Sequence, residues 1–234
     1  MILRWRTDGP YAIAFSTRQG GVSEGPFESL NLGRMTGDAP ERVDENRRRL
    51  CAELGADEAL LALNRQHHSA VVNRGEPGSR GVPGDGLWTD EPDQPVLALA
   101  ADCVTVALAR TNGDRPALAV LHAGWRGLLE GIVEAGVAAL GGSSLAAAVG
   151  PAIGPCCYEV GSEVADAFTA RYGAGLLRGR RLDLWTSAER ALRAAGVEHV
   201  HRFDRCTACE PETFFSHRRD RGRTGRQGVV AYVA

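Results

Sequence analysis

Val96-Leu97-Ala98-Leu99-Ala100-Ala101-Asp102-Cys103-Val104-Thr105-Val106-Ala107-Leu108-Ala109 is the stretch on which the fold turns. Two apolar runs of strand length, 96–101 and 104–109, are interrupted by a single polar pair, Asp102-Cys103. A carboxylate and a thiol set between such runs are costly unless partners satisfy them. Downstream, 117–121 is a third strand-like run and ends at His122. Gly124-Trp125-Arg126-Gly127 then turns into a helix expected to continue to Leu140, with Leu128, Leu129, Ile132, Val133, Gly136, Val137 and Leu140 on one face. Residues 145–149 read as a strand that runs into Gly150-Pro151-Ala152-Ile153-Gly154-Pro155, which is not regular structure. Helices are expected near 161–171 and 185–195, and 229–233 reads as a closing strand. Upstream, 12–17 reads as a strand and 39–54 as a helix, with Asp38 placed to cap it and Val43, Leu50, Cys51 and Leu54 on one face. Strands at 60–63 and 70–73 flank Gln66-His67-His68, and 75–86 reads as a loop. Strands crowd the first half and helices appear throughout, which predicts a mixed α/β fold and not a regular alternation. The length, 234 residues, favours a single domain over 1–234.

The composition excludes several classes. All 27 basic residues are arginine. Schiff-base, phosphate-loop and kinase-type lysines are therefore impossible, and any cationic work falls to arginine, whose planar fork suits phosphate or carboxylate. The formal charge of −2 gives no basic field toward nucleic acid or an anionic membrane. No apolar run is long enough to span a bilayer, and residues 1–10 lack the apolar core of a secretory signal. Six cysteines are few for a disulfide scaffold. A reduced, cytoplasmic chain is the expectation, with no protein partner implied.

Polar clusters at the ends of apolar segments are the candidate chemistry. Cys103, His122 and a histidine of the 66–68 cluster have the donor types of an open tetrahedral zinc site. The same residues also read as a Cys103–His122 nucleophile and base; the simplest alternative is a buried thiol and a hydrogen-bonded ring. Gly124–Gly127, between a strand and a helix, is a candidate anion site to which Arg126 would add a forked contact, and Arg18 in Thr17-Arg18-Gln19-Gly20-Gly21 invites the same reading. Cys206-Thr207-Ala208-Cys209 is a C-x-x-C with no second such pair, and is expected to be structural and not catalytic. Whether Cys156-Cys157 lies near it is not legible.

In order along the chain, Thr17-Arg18-Gln19-Gly20-Gly21-Val22-Ser23, Ser29-Leu30-Asn31-Leu32-Gly33, Asn46-Arg47-Arg48, Gln66-His67-His68, Gly84-Asp85-Gly86-Leu87, Ala101-Asp102-Cys103, His122-Ala123-Gly124-Trp125-Arg126-Gly127, Gly150–Val160, Cys206–Cys209 and Phe214–Asp220 resemble the motifs of the YfiH family. This family is also known as the laccase-like multicopper polyphenol oxidase domain family. The resemblance implies a layered sandwich of β-sheets flanked by helices. It implies zinc held by His68, Cys103 and His122, with Gln66-x-His68 fixing the register. It further implies phosphorolysis of adenosine, inosine and methylthioadenosine, together with adenosine deamination, so that purine nucleosides and phosphate are the expected partners. Asp102 and Asp85 are candidates for acid/base work or purine contacts, and Arg18, Arg126 and Gly124 for substrate binding. Two other activities are attached to such proteins. One is copper-dependent phenol oxidation, for which six histidines, at 67, 68, 122, 199, 201 and 217, are too few to build a multicopper cluster, although soft ligands accept copper. The other is hydrolysis by a Cys103–His122 couple that edits peptidoglycan precursors.

Overall fold

The computed structural model describes residues 2–111, 115–142 and 144–234. Strands β1 (Ile2–Trp5) and β2 (Tyr11–Ser16) form an antiparallel pair. After helix α1 (Pro40–Leu54) come β3 (Ala62–Arg65), β4 (Val72–Arg74), β5 (Arg80–Pro83), β6 (Gly86–Thr89), β7 (Val96–Ala100), β8 (Val104–Arg110) and β9 (Leu118–Ala123). Helices α2 (Trp125–Glu130) and α3 (Ile132–Leu140) lead to β10 (Leu145–Val149). Helix α4 (Ser162–Tyr172), the ribbon β11 (Leu177–Arg178) and β12 (Arg181–Leu182), helix α5 (Leu184–Ala194), β13 (His199–Arg202) and β14 (Gln227–Val233) complete the order.

Two mixed sheets result, one ordered β1-β2-β14-β7-β3-β5 and the other β13-β10-β8-β9-β6-β4. Successive side chains alternate between the two faces of a strand, and the central strands β7 and β10, covered on both faces, are apolar on every residue. In β8, Val104, Val106 and Leu108 join α2, α3 and α5 through Leu128, Ile132, Val133 and Leu192. Ala107 and Ala109 of the same strand face the first sheet, together with Leu118, Val120, Ala146 and Ala148, against Phe15, Ala98, Val229 and Ala231. The outer face of the first sheet, with Ala14, Leu97, Val230 and Tyr232, is covered by Leu50, Cys51 and Leu54 of α1. The layers are therefore helix, sheet, sheet, helices, the sandwich that the motifs imply.

The interruption at Asp102-Cys103 is where the chain leaves the first sheet and enters the second. Residues 66–71 make the same crossing, from β3 to β4. Several boundaries differ from the sequence reading. The helix expected from 125 to 140 is broken at Gly131, whose φ of +94° ends α2 in a left-handed turn. Asp38 precedes the cap residue Ala39 of α1, and its carboxylate accepts from Ser23, Asn31 and the Ala39 amide. Part of the expected loop at 75–86 is β5, an exposed edge strand parallel to β3.

Candidate metal centre

The centre is built where the two crossings meet the end of β9. His68 and Asp102 both hold left-handed backbone, with φ of +67° and +93°, a conformation that non-glycine residues keep only when their surroundings impose it. Those surroundings are visible. The Gln66 side chain donates to the Leu99 carbonyl at 2.7 Å and accepts from the Leu99 amide at 2.8 Å, so it pairs with β7 as a strand residue would and ties the first crossing to the strand that leads into the second. Asp102 accepts from the Thr207 hydroxyl and from the Arg218 amide, both at 2.6 Å.

His68, Cys103 and His122 present ligand atoms that lie within 4.8 Å of one another, and the Cys103 Sγ–His68 Nε2 separation is 3.9 Å. Gly124 permits this approach. A Cβ there would stand 2.9 Å from His68 Cδ2 and 3.1 Å from Cys103 Sγ. Asp85 accepts from His122 Nδ1 at 2.8 Å. An ionised carboxylate only accepts, so Nδ1 carries a proton. Against the burial that disfavours its charge, Cys103 and Asp85 raise the His122 ring to about 9, so Nε2 ligates by giving up a proton of its own. The same carboxylate accepts from the amides of His67, His68 and Ser69 and from the Ser69 hydroxyl. Burial alone would raise the Asp85 carboxyl, but His122 and the Ser69 and His67 donors outweigh it and hold it well below the usual carboxylate range. Burial likewise opposes the Cys103 thiolate, yet His122 and His68 pull the thiol down to about 6. A thiolate, an oriented imidazole and a second imidazole within reach form a donor set that fits a zinc ion with one position open.

All three ligand residues line a cavity of about 670 Å³. Its other walls include Trp125, Tyr158, His217 and the arginines 34, 47, 65, 80, 218 and 226. Two sequence expectations change here. Asp85 is only 1% exposed and its oxygens are fully engaged, so it positions His122 and the His68 turn and is not free for acid/base work. Arg18 and Arg126 do not line the cavity. Arg18 donates to the carbonyls of Glu28 and Pro211 and stacks over Phe215, while the Arg126 guanidinium lies over the ring of its neighbour Trp125, 4.4 Å from the centroid. Gly124 serves the close approach of ligands. Asp102 does line the cavity, with both oxygens already accepting. The cavity arginines escaped the sequence reading because nothing separates a buried arginine from a solvated one when every cation is arginine. Arg47, only 2% exposed and donating to the Leu32 carbonyl, is the extreme case.

A family model described as multi-copper polyphenol oxidoreductase laccase matches residues 12–234. The chain belongs to this family, the YfiH family. Purine nucleoside phosphorylase YfiH of Escherichia coli is 38% identical over 242 residues, which cover 100% of this chain and 98% of that protein. The crystal structure of YlmD from Geobacillus stearothermophilus superposes with a TM-score of 0.88 at 35% identity, over 96% of this chain and 92% of that one. The YfiH protein of Bacillus licheniformis gives 0.89 at 30% identity, over 96% and 93%. In this YfiH-family chain, among the described residues, histidines join only one candidate metal set, that of His68, Cys103 and His122. His199 and His201 sit on β13 at the edge of the second sheet, and His217 lines the cavity outside that set. Among the described residues no helix is long and apolar enough to cross a membrane.

Proposed function

We propose that this protein is a zinc-dependent purine nucleoside phosphorylase of the cytoplasm. Its substrates are adenosine, inosine and methylthioadenosine with phosphate, and adenosine deamination is a second activity of the same site. The observation that carries the reading is a His–Cys–His donor set on the wall of an arginine-rich cavity of ligand size. The names of the relatives, purine nucleoside phosphorylases of nearly the same length, support it.

In phosphorolysis a phosphate oxygen bonds to C1′ of the ribose while the C1′–N9 bond breaks, and the bonding pair leaves with the purine, which takes up a proton. Arg65, Arg218 and Arg226 have no carboxylate partner among the described residues and offer forked contacts to phosphate, while Arg47, whose Nε and Nη2 already donate to the Leu32 carbonyl, contributes charge alone. Trp125 and Tyr158 offer flat faces of the kind on which a purine stacks. His68, Cys103 and His122 would hold zinc, which would supply Lewis acidity to the site. Asp102 ties the Cys103 turn to the Thr207 hydroxyl and the Arg218 amide, and Asp85 fixes the His122 ring.

The depressed Cys103 thiol beside His122 favours one second reading, a cysteine hydrolase acting on muramyl-amino-acid precursors. One experiment separates the two. Zinc-loaded protein is incubated with adenosine, with and without phosphate, and products are resolved by chromatography. Adenine and ribose 1-phosphate formed only with phosphate is the expected result, and inosine in either buffer reports deamination. If neither product forms while a muramyl-amino-acid precursor is cleaved, the hydrolase reading replaces this one.

A further inference from the structure

Four cysteines outside the metal centre meet at one place. Cys156 and Cys157 stand in the turn that follows β10, and Cys206 and Cys209 bracket Thr207-Ala208 in the turn that follows β13. β10 and β13 are parallel neighbours, so both turns leave the same end of the second sheet. The backbone holds them together: Ala152 and Cys206 form an isolated parallel bridge, the Thr207 amide donates to the Ala152 carbonyl at 3.1 Å, and the Ala152 amide donates to the Arg205 carbonyl at 3.2 Å. The four Sγ atoms lie within 4.8 Å of one another. Cys209 Sγ is 3.5 Å from Cys156 Sγ and 3.3 Å from Cys157 Sγ. Four sulfurs bonded at about 2.3 Å to a tetrahedral ion stand roughly 3.8 Å apart, so the cluster has the size of a filled site with no ion-sized rearrangement required. The Gly154 amide donates to Cys206 Sγ at 3.2 Å, the kind of outer-shell hydrogen bond that orients a ligating sulfur.

From this geometry we infer a second metal site, a closed tetrathiolate of Cys156, Cys157, Cys206 and Cys209 that binds zinc and has a structural role. Its donor set is all sulfur and leaves no open position, unlike that of His68, Cys103 and His122. Its placement states what it stabilises. Thr207, between two of the ligands, donates to Asp102, and Tyr158, next to Cys157, lines the cavity. An ion here clamps the two loops that back the Cys103 turn. The C-x-x-C pair lacks a second C-x-x-C in sequence because the vicinal Cys156-Cys157 takes that place. The inference stands independently of the proposed activity.

The test is metal content and cobalt absorption of full-length protein kept reduced. Wild-type protein isolated without added metal should hold about two zinc ions per chain, falling to about one in Cys103→Ala and to about one in a Cys156→Ser, Cys209→Ser double variant. Metal-free Cys103→Ala titrated with cobalt(II) alone should give tetrahedral absorption with sulfur charge transfer from four thiolates per ion. That measurement needs only the wild-type cluster, so it decides the matter even if the double variant does not fold. Zinc near one per chain that vanishes in Cys103→Ala overturns the inference. So does a cobalt spectrum of that variant without sulfur charge transfer, or alkylation mapping that finds these cysteines joined as disulfides. Loss of the first site alone would leave one tetrathiolate-bound ion, so failure of the activity reading and failure of this one are distinguishable.

Discussion

Asp85 shows how much of the centre hangs on one side chain. It orients His122 through Nδ1 and fixes the backbone turn that carries His68. Replacing it by Asn turns one acceptor into a donor facing other donors. Asp85→Asn is expected to keep the fold and weaken zinc binding at the first site about 10–100-fold, as loss of such outer-shell partners does; competition with a chromophoric chelator measures this, and unchanged affinity contradicts the positioning role. The folded carboxyl lies below its unfolded value. Its contribution to stability is therefore complete above roughly pH 5 and lost as pH falls through and below ~4. Metal-free wild type should lose denaturant stability over that acid window more steeply than Asp85→Asn, and parallel profiles would refute it. Cys103 and His122 were legible in sequence because a thiol and an imidazole at the ends of apolar strands require partners. The role of Asp85 was not, since Gly84-Asp85-Gly86 reads as an ordinary turn and its five donors come from residues 67–69 and 122.

Elements contribute through how they end. The Gln66 side chain bonds to both the amide and the carbonyl of Leu99, so the crossing between β3 and β4 is tied to β7 at a place where the sheet ladder has stopped. Gln66→Ala leaves both Leu99 groups without that partner, a loss of about 1–3 kcal/mol. It should lower denaturant stability by that order and hasten zinc release to a chelator, and a release rate equal to wild type would show that the crossing is held otherwise. The break at Gly131 is different in kind. A Cβ there meets nothing closer than 3.5 Å, so Gly131→Ala tests backbone strain alone. A stability loss of roughly 1–2 kcal/mol, with zinc content unchanged, is the expected result by urea titration and metal analysis. The sequence showed apolar periodicity from 125 to 140 and therefore one helix. Periodicity records which face is buried, and α2 and α3 bury theirs against the same sheet, so the pattern runs across the break.

At the scale of the whole molecule, the net charge of −2 conceals a cavity walled by six arginines, two of which, Arg34 and Arg80, are paired with Asp44 and Glu58. Concentrated positive charge in a concave site attracts a polyanion more than a neutral nucleoside, and salt screens that attraction. The KM for phosphate should therefore rise with added sodium chloride while the KM for adenosine changes little; equal sensitivity would place phosphate elsewhere. The mixed α/β class was legible from strand-length runs and helical faces. The pairing of strands into two sheets was not, because it joins segments far apart in the chain. The clearest instance is β14, which lies between β2 and β7 in the first sheet. That placement has a consequence for synthesis. At ~5–20 residues per second, β14 leaves the ribosome on the order of ten seconds after β7. Until then β2 and β7 each lack the partner strand that β14 supplies, and such open edges are the places where a growing chain pairs with foreign strands.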